Sequence, residues 1–132
     1  MLVRIEAVPP AASKIVRVHS TLGGVAVLWQ GAPEAVGREH HVEWTVDEDL
    51  VWTVNAWPSA ATSAELREDG DDHIVFRGRL RLFEDGGAAL DVGGTPILFD
   101  LAGPPPPESV TSGAWVEIRV PRDRVSLWPY AL

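Results

Sequence analysis

The stretch Ile74-Val75-Phe76-Arg77-Gly78-Arg79-Leu80-Arg81-Leu82-Phe83 decides how this chain folds. Ile74, Phe76, Leu80 and Leu82 fall on one parity with Gly78 in their register, while Arg77, Arg79 and Arg81 fall on the other. Side chains on a strand alternate between its two faces, so this rhythm sets an apolar face against a row of guanidinium groups. The segment reads as a half-buried strand of an antiparallel sheet. Its arginine row is the chain's main concentration of positive charge.

The same two-residue period extends outward in both directions. Toward the N-terminus, Leu2 to Val8 alternates until Pro9-Pro10, Lys14 to His19 alternates again, and Gly23-Gly24 leads into Val25 to Gln30. These three runs predict a meander. Gly31 to Arg38 reads as a loop or one helical turn. His41 to Asp47 places Val42, Trp44 and Val46 on one face; after the acidic turn Asp47-Glu48-Asp49, Leu50 to Asn55 returns with Leu50, Trp52 and Val54 in register. That pattern predicts a hairpin. Pro58 to Thr62 reads as an exposed loop, Ser63 to Glu68 as a helical turn or a short edge strand, and Asp69 to Asp72 as a turn.

Beyond the arginine strand, Glu84-Asp85-Gly86-Gly87 turns the chain into Ala88 to Val92, and Gly93-Gly94 turns it again into Thr95 to Leu101. Gly-rich pairs between alternating runs are tight-hairpin chemistry. Pro104 to Pro107 cannot donate to a ladder and reads as a stiff link across a barrel end. Ala114 to Val120 and Arg124 to Trp128, joined by Pro121-Arg122-Asp123, predict a terminal hairpin. Ten or so short strands with no sustained helical period predict a single all-β domain over residues 1–132, a small antiparallel barrel or barrel-like sandwich.

The closing segments Gly113-Ala114-Trp115-Val116-Glu117-Ile118-Arg119-Val120-Pro121 and Val125-Ser126-Leu127-Trp128 resemble the last hairpin of small OB-type barrels. Similar endings occur in the accessory oligonucleotide/oligosaccharide-binding-like domains of transport ATPases. The resemblance implies an OB-like closure in the C-terminal half. It implies a topology and no activity.

Composition narrows the function classes. The 132 residues are 45% hydrophobic and 23% charged, ordinary for one globular domain. Six Trp stand against one Tyr and three Phe, which predicts a core or barrel ends plugged largely by indole rings. The Trp count is also compatible with a homodimer face. A net charge of −8 disfavours phosphate backbones, whose affinity comes from clustered Lys and Arg. The same charge suits a basic protein partner. The chain has no cysteine, which removes disulfides, thiolate metal sites and cysteine nucleophiles and favours a reducing compartment. With no signal-peptide core at the N-terminus and no apolar run long enough for a helical span, a cytoplasmic location and no membrane contact are expected. A single Lys among abundant Ala, Gly, Pro, Val and Arg is expected of a GC-rich bacterial genome.

Chemistry-bearing patterns are sparse. No nucleophile elbow, phosphate-cradling loop or His-Glu-x-x-His occurs, so no catalytic residue is assigned and a non-enzyme is expected. In Arg38-Glu39-His40-His41-Val42-Glu43, only His41 and Glu43 share a strand face; with a third ligand needed from His73 or His19, no metal or other cofactor is expected. The candidate ligand-binding set is Arg77, Arg79 and Arg81 with Trp52 and Trp115 as a stacking platform. That set would serve a small anionic ligand or single-stranded nucleic acid. The other reading of the row is a solvated face paired to Glu65, Glu68, Asp91 or Glu117. The function expected from these features is a non-catalytic bacterial cytoplasmic interaction protein, binding another protein through an acidic, Trp-containing β surface.

Overall fold

Alternation in the first third of the chain builds β1 (Leu2–Ala7), β2 (Ile15–Ser20), β3 (Gly23–Trp29) and β4 (Glu39–Val46). The computed structural model describes residues 1–7, 14–33, 36–108 and 110–130. Val8, the Pro9-Pro10 stop expected after the first strand and part of the Gly31–Arg38 loop lie outside these residues. The chain continues through β5 (Ala56–Pro58), β6 (Glu65–Asp69), β7 (His73–Leu82), β8 (Gly87–Val92), β9 (Thr95–Asp100), β10 (Trp115–Pro121) and β11 (Val125–Pro129). The fold is all-β.

The strands form two sheets. β1-β2-β3-β11-β4 closes into a five-stranded barrel, since β4 pairs back to β1. Four of its pairings are antiparallel, and β3 runs parallel to β11 with Leu28 opposite Ser126. The second sheet has the order β5-β10-β7-β8-β9, with β6 beside the first half of β7. Both sheets feed one hydrophobic cluster: Ile5, Val18, Val27 and Leu127 from the barrel join Phe76, Leu80, Leu90 and Ile118 from the second sheet. Trp44 of β4 meets Phe76 of β7 edge-on, with ring centroids 5.4 Å apart. Edge-to-face rings at this spacing add to the area they bury.

Two glycines let the sheets approach. Gly23 sits at φ +135°, where a Cβ would stand 1.9 Å from the Leu66 carbonyl oxygen; this is where β6 leans on the barrel, its Leu66 N–H bonding Leu22 O at 3.0 Å. Gly78 has no unusual φ, but a Cβ there would meet the Asp91 carbonyl oxygen at 2.2 Å. Glu68 completes the junction, accepting from Arg17 of β2 at 2.7 Å and from Arg122 at 2.9 Å.

Two expected hairpins are not formed. Leu50 to Asn55 does not return along β4. Leu50 bridges Leu101 and Trp52 bridges Ala56, while Thr53 takes φ +65° and Asn55 Oδ1 accepts from Val51 N–H at 2.8 Å to close a turn. The grease of Leu50 and Trp52 is buried in the core without a ladder, and β4 takes β1 and β11 as partners instead. Likewise β10 and β11 belong to different sheets: β10 pairs with β5 and β7, β11 with β3 and β4. Between them a single 3-10 turn, Arg122–Arg124, redirects the chain from one sheet to the other. Ser63 to Glu68 resolves as the edge strand β6.

Candidate functional site: a groove between two strand edges

The arginine row divides by its neighbours. Cross-strand register places Arg77 between Glu65 of β6 and Glu117 of β10. Its Nε and Nη2 donate to Glu117 Oε1 at 3.1 and 3.0 Å, and its Nη1 donates to Glu65 Oε2 at 3.0 Å. Arg67 adds a bond to the same Glu117 oxygen at 3.2 Å. Arg77 therefore has its fork engaged by two carboxylates, and its side chain is only 14% exposed. Arg79 lies opposite Trp115 and Asp91, its guanidinium carbon 6.0 Å from the Trp115 ring centre and its Nε donating to Gly113 O at 3.3 Å. Arg81 lies over Phe83 at 5.5 Å. Trp52 is 3% exposed, inside the core and away from this face, because its bridge to Ala56 pulls it under the sheet. Of the residues expected to act together, only Arg79 and Trp115 are in contact.

The Trp residues split evenly. Trp29, Trp44 and Trp52 are core; Trp57 and Trp128 are exposed, and Trp115 is half-buried. The histidines are dispersed: His19 faces Glu6 at 3.3 Å, His73 pairs with Asp72 at 2.7 Å and His40 lies beside the Trp29 ring. Among the described residues no cluster of three His, Asp or Glu is placed to hold a metal. The His73 hydrogen bond, with the charge of its ring, holds the Asp72 carboxyl below the ordinary carboxylate range. Among the described residues no helix is long and apolar enough to cross a membrane.

A hollow lies away from this row, beside β4 and β9. A groove of about 560 Å³ runs between β4 and β9, walled by Val42, Trp44 and Val46 on one side and Thr95, Pro96 and Leu98 on the other. Met1 and Tyr130 stand with Val42 among its walls, and Glu43 lies on its rim. A smaller hollow continues from it through the shared residues Val46 and Leu98, lined by Asp47, Glu48, Asp49 and Asp100. Leu98 is 67% exposed and Tyr130 is 50% exposed, an apolar surface left in water beside acidic side chains.

Sequence reading passed over this groove. Leu98 and Pro96 alternate with Ile97 and Phe99 as any strand would, and the alternation itself does not say that β9 ends a sheet. The available signal was Pro96, since proline within a strand is confined to edges and bulges. No protein family matches the sequence, and no curated protein or solved structure is detectably similar to it.

Proposed function

We propose that this chain is a non-catalytic protein-binding domain of the bacterial cytoplasm that engages its partner along the β4–β9 groove. The observation that carries the reading is Leu98, two-thirds exposed beside Val46 and Tyr130 with a carboxylate-lined hollow at one end of the groove. An apolar strip with a charged rim is the anatomy of a recognition surface. Absence of cysteine supports a reducing compartment.

A second reading, an OB-like binder of a small anionic ligand or single-stranded nucleic acid, draws support from the five-stranded closure and from Arg79 stacked at Trp115. OB barrels take ligands on the face of their second and third strands. Here β6 leans on β3 at Leu22 and Gly23, and Arg17 of β2 is tied to Glu68, which counts against that use. The net charge of −8 counts against it too.

Affinity capture with the wild type, Leu98→Asp and an Arg79→Ala/Arg81→Ala double variant separates the two. A partner held by the wild type and the arginine variant but released by Leu98→Asp is expected. Retention in Leu98→Asp, or salt-sensitive oligonucleotide binding lost in the arginine variant, would overturn the groove reading. Circular dichroism of each variant checks that the surface changes leave the fold intact.

A further inference from the structure

Resting on that reading, we infer that the groove receives an extended basic segment of another protein, which pairs its backbone with the free edge of β4 and packs alternate apolar side chains on Leu98 and Val46. The register of β4 supplies the edge. Asp47 N–H bonds Arg124 O at 2.8 Å and Tyr130 N–H bonds His41 O at 2.9 Å, so these odd-numbered residues address β11. Peptide groups alternate sides along a strand, so Trp44 and Val46 turn theirs the other way. On that side Met1 O accepts from Val42 N–H at 2.9 Å, and among the described residues no strand is paired on that side of Trp44 and Val46. Beyond Val42 that edge of β4 borders the groove opposite β9, whose outer edge is bonded at its far end, where Leu50 N–H donates to Asp100 O at 2.8 Å.

An unpaired strand edge is a template for another chain, and addition of an extended peptide to such an edge is a recurrent recognition mode. Pro96 removes a donor from β9, whereas Glu43–Val46 contains no proline. The incoming backbone is thereby directed to β4.

Charge selects the occupant. Glu43 borders the groove and Asp47, Glu48, Asp49 and Asp100 line the hollow that continues it. Among the described residues the cation recorded against these acids is Arg124, 3.8 Å from an Asp47 that is itself 89% exposed. Side chains of an added strand alternate, so one parity meets the apolar floor while the other meets water and carboxylates. Lysine or arginine on the second parity is favoured, and a phosphate backbone is repelled.

The test uses the intact chain and a capped peptide of alternating lysine and valine, followed by amide NMR shifts and fluorescence. Binding with shifts concentrated on β4 and β9 is expected, about tenfold weaker for an alternating glutamate–valine peptide. Leu98→Asn should weaken it by a similar factor, while Asp71→Asn, on the β6–β7 turn outside the groove, should leave it unchanged. N-methylation of one parity of the peptide should abolish binding and the other parity should tolerate it. Equal binding of both peptides, indifference to N-methylation, or shifts away from β4 and β9 would overturn the inference. A concentration-dependent dimer lost in Leu98→Asn would also overturn it, by seating a second copy in the groove. If a captured partner depends on Leu98 but the basic peptide does not bind, the inference falls and the protein-binding reading stands; if capture and peptide both fail, both fall.

Discussion

Arg77 and Glu117 are joined twice across β7 and β10, with Nε and Nη2 of the arginine converging on one carboxylate oxygen at 3.1 and 3.0 Å. Bonding of this kind locks two neighbouring strands side by side, and Glu65 on β6 extends the lock to a third. Exposed ion pairs contribute roughly 0–1 kcal/mol, and breaking fully buried ones costs about 3–5 kcal/mol. This pair lies between those limits. Glu117→Ala is expected to cost about 1–2 kcal/mol, because Arg77 keeps Glu65. Removing Glu65 as well should cost more than the two single changes added together. Urea denaturation of the set decides it, and unaltered midpoints would mean that the cross-strand lock contributes nothing.

Gly78 interrupts the apolar row of β7 because β8 crosses close to it. With its Cβ position 2.2 Å from the Asp91 carbonyl oxygen, Gly78→Ala must push two paired strands apart. Overpacking of that kind costs about 1–3 kcal/mol, and contact with backbone rather than a flexible side chain places this case at about 3 kcal/mol. A Gly78→Ala protein that denatures at the wild-type midpoint would contradict the close approach.

Trp44 and Phe76 belong to different sheets and share one core. Phe76→Ala should cost about 3–5 kcal/mol, and a double-mutant cycle with Trp44→Ala should show a coupling of about 0.5–1.5 kcal/mol. Calorimetry should give one transition for the wild type, as one cooperative unit requires. Two separated transitions would show that barrel and sheet unfold independently.

Acid acts on the Asp72–His73 pair. His73 Nδ1 donates to Asp72 Oδ1 at 2.7 Å, which lowers the Asp72 pKa from its ordinary 3.8. A carboxyl with a depressed folded-state pKa binds its proton more weakly folded than unfolded. Its stabilising effect is complete above the unfolded value and is lost as pH falls through the folded one, hence below about pH 4. NMR titration of the Asp72 carboxyl should show its midpoint rising toward 3.8 in His73→Ala. A midpoint indifferent to that substitution would remove His73 as the cause.

Elements were legible in the sequence where burial is one-sided, and partners were not. Phe76 to Leu82 alternates because one face meets the core and the other meets water and ions, so β7 could be read directly. β8 and β9 followed from Gly93-Gly94, a two-residue turn with both residues at positive φ. The same rhythm at Leu50, Trp52 and Val54 misled, since Leu50 and Trp52 are buried by an irregular turn and Val54 is 69% exposed. Alternation reports which side of a residue is dry; it carries no label for the strand beside it. β4 therefore looked like half of a local hairpin, though its partners β1 and β11 are distant in sequence. The arginine row showed the matching limit. Its pairing to Glu65 and Glu117 was foreseeable as cross-strand chemistry, but the groove lies between two strands that share no ladder, and apart from Pro96 in β9 neither segment carries a mark of that missing pairing.

Barrel closure by β11 has a consequence for biosynthesis. Val125–Pro129 is the stave inserted between β3 and β4, and every strand of the second sheet emerges from the ribosome before it does. Until then the nascent barrel is an open trough with two raw seams, and long-range pairings of this sort form slowly. The second sheet, whose β7, β8 and β9 are sequential neighbours, is free to assemble first and serve as the platform on which the final stave is laid.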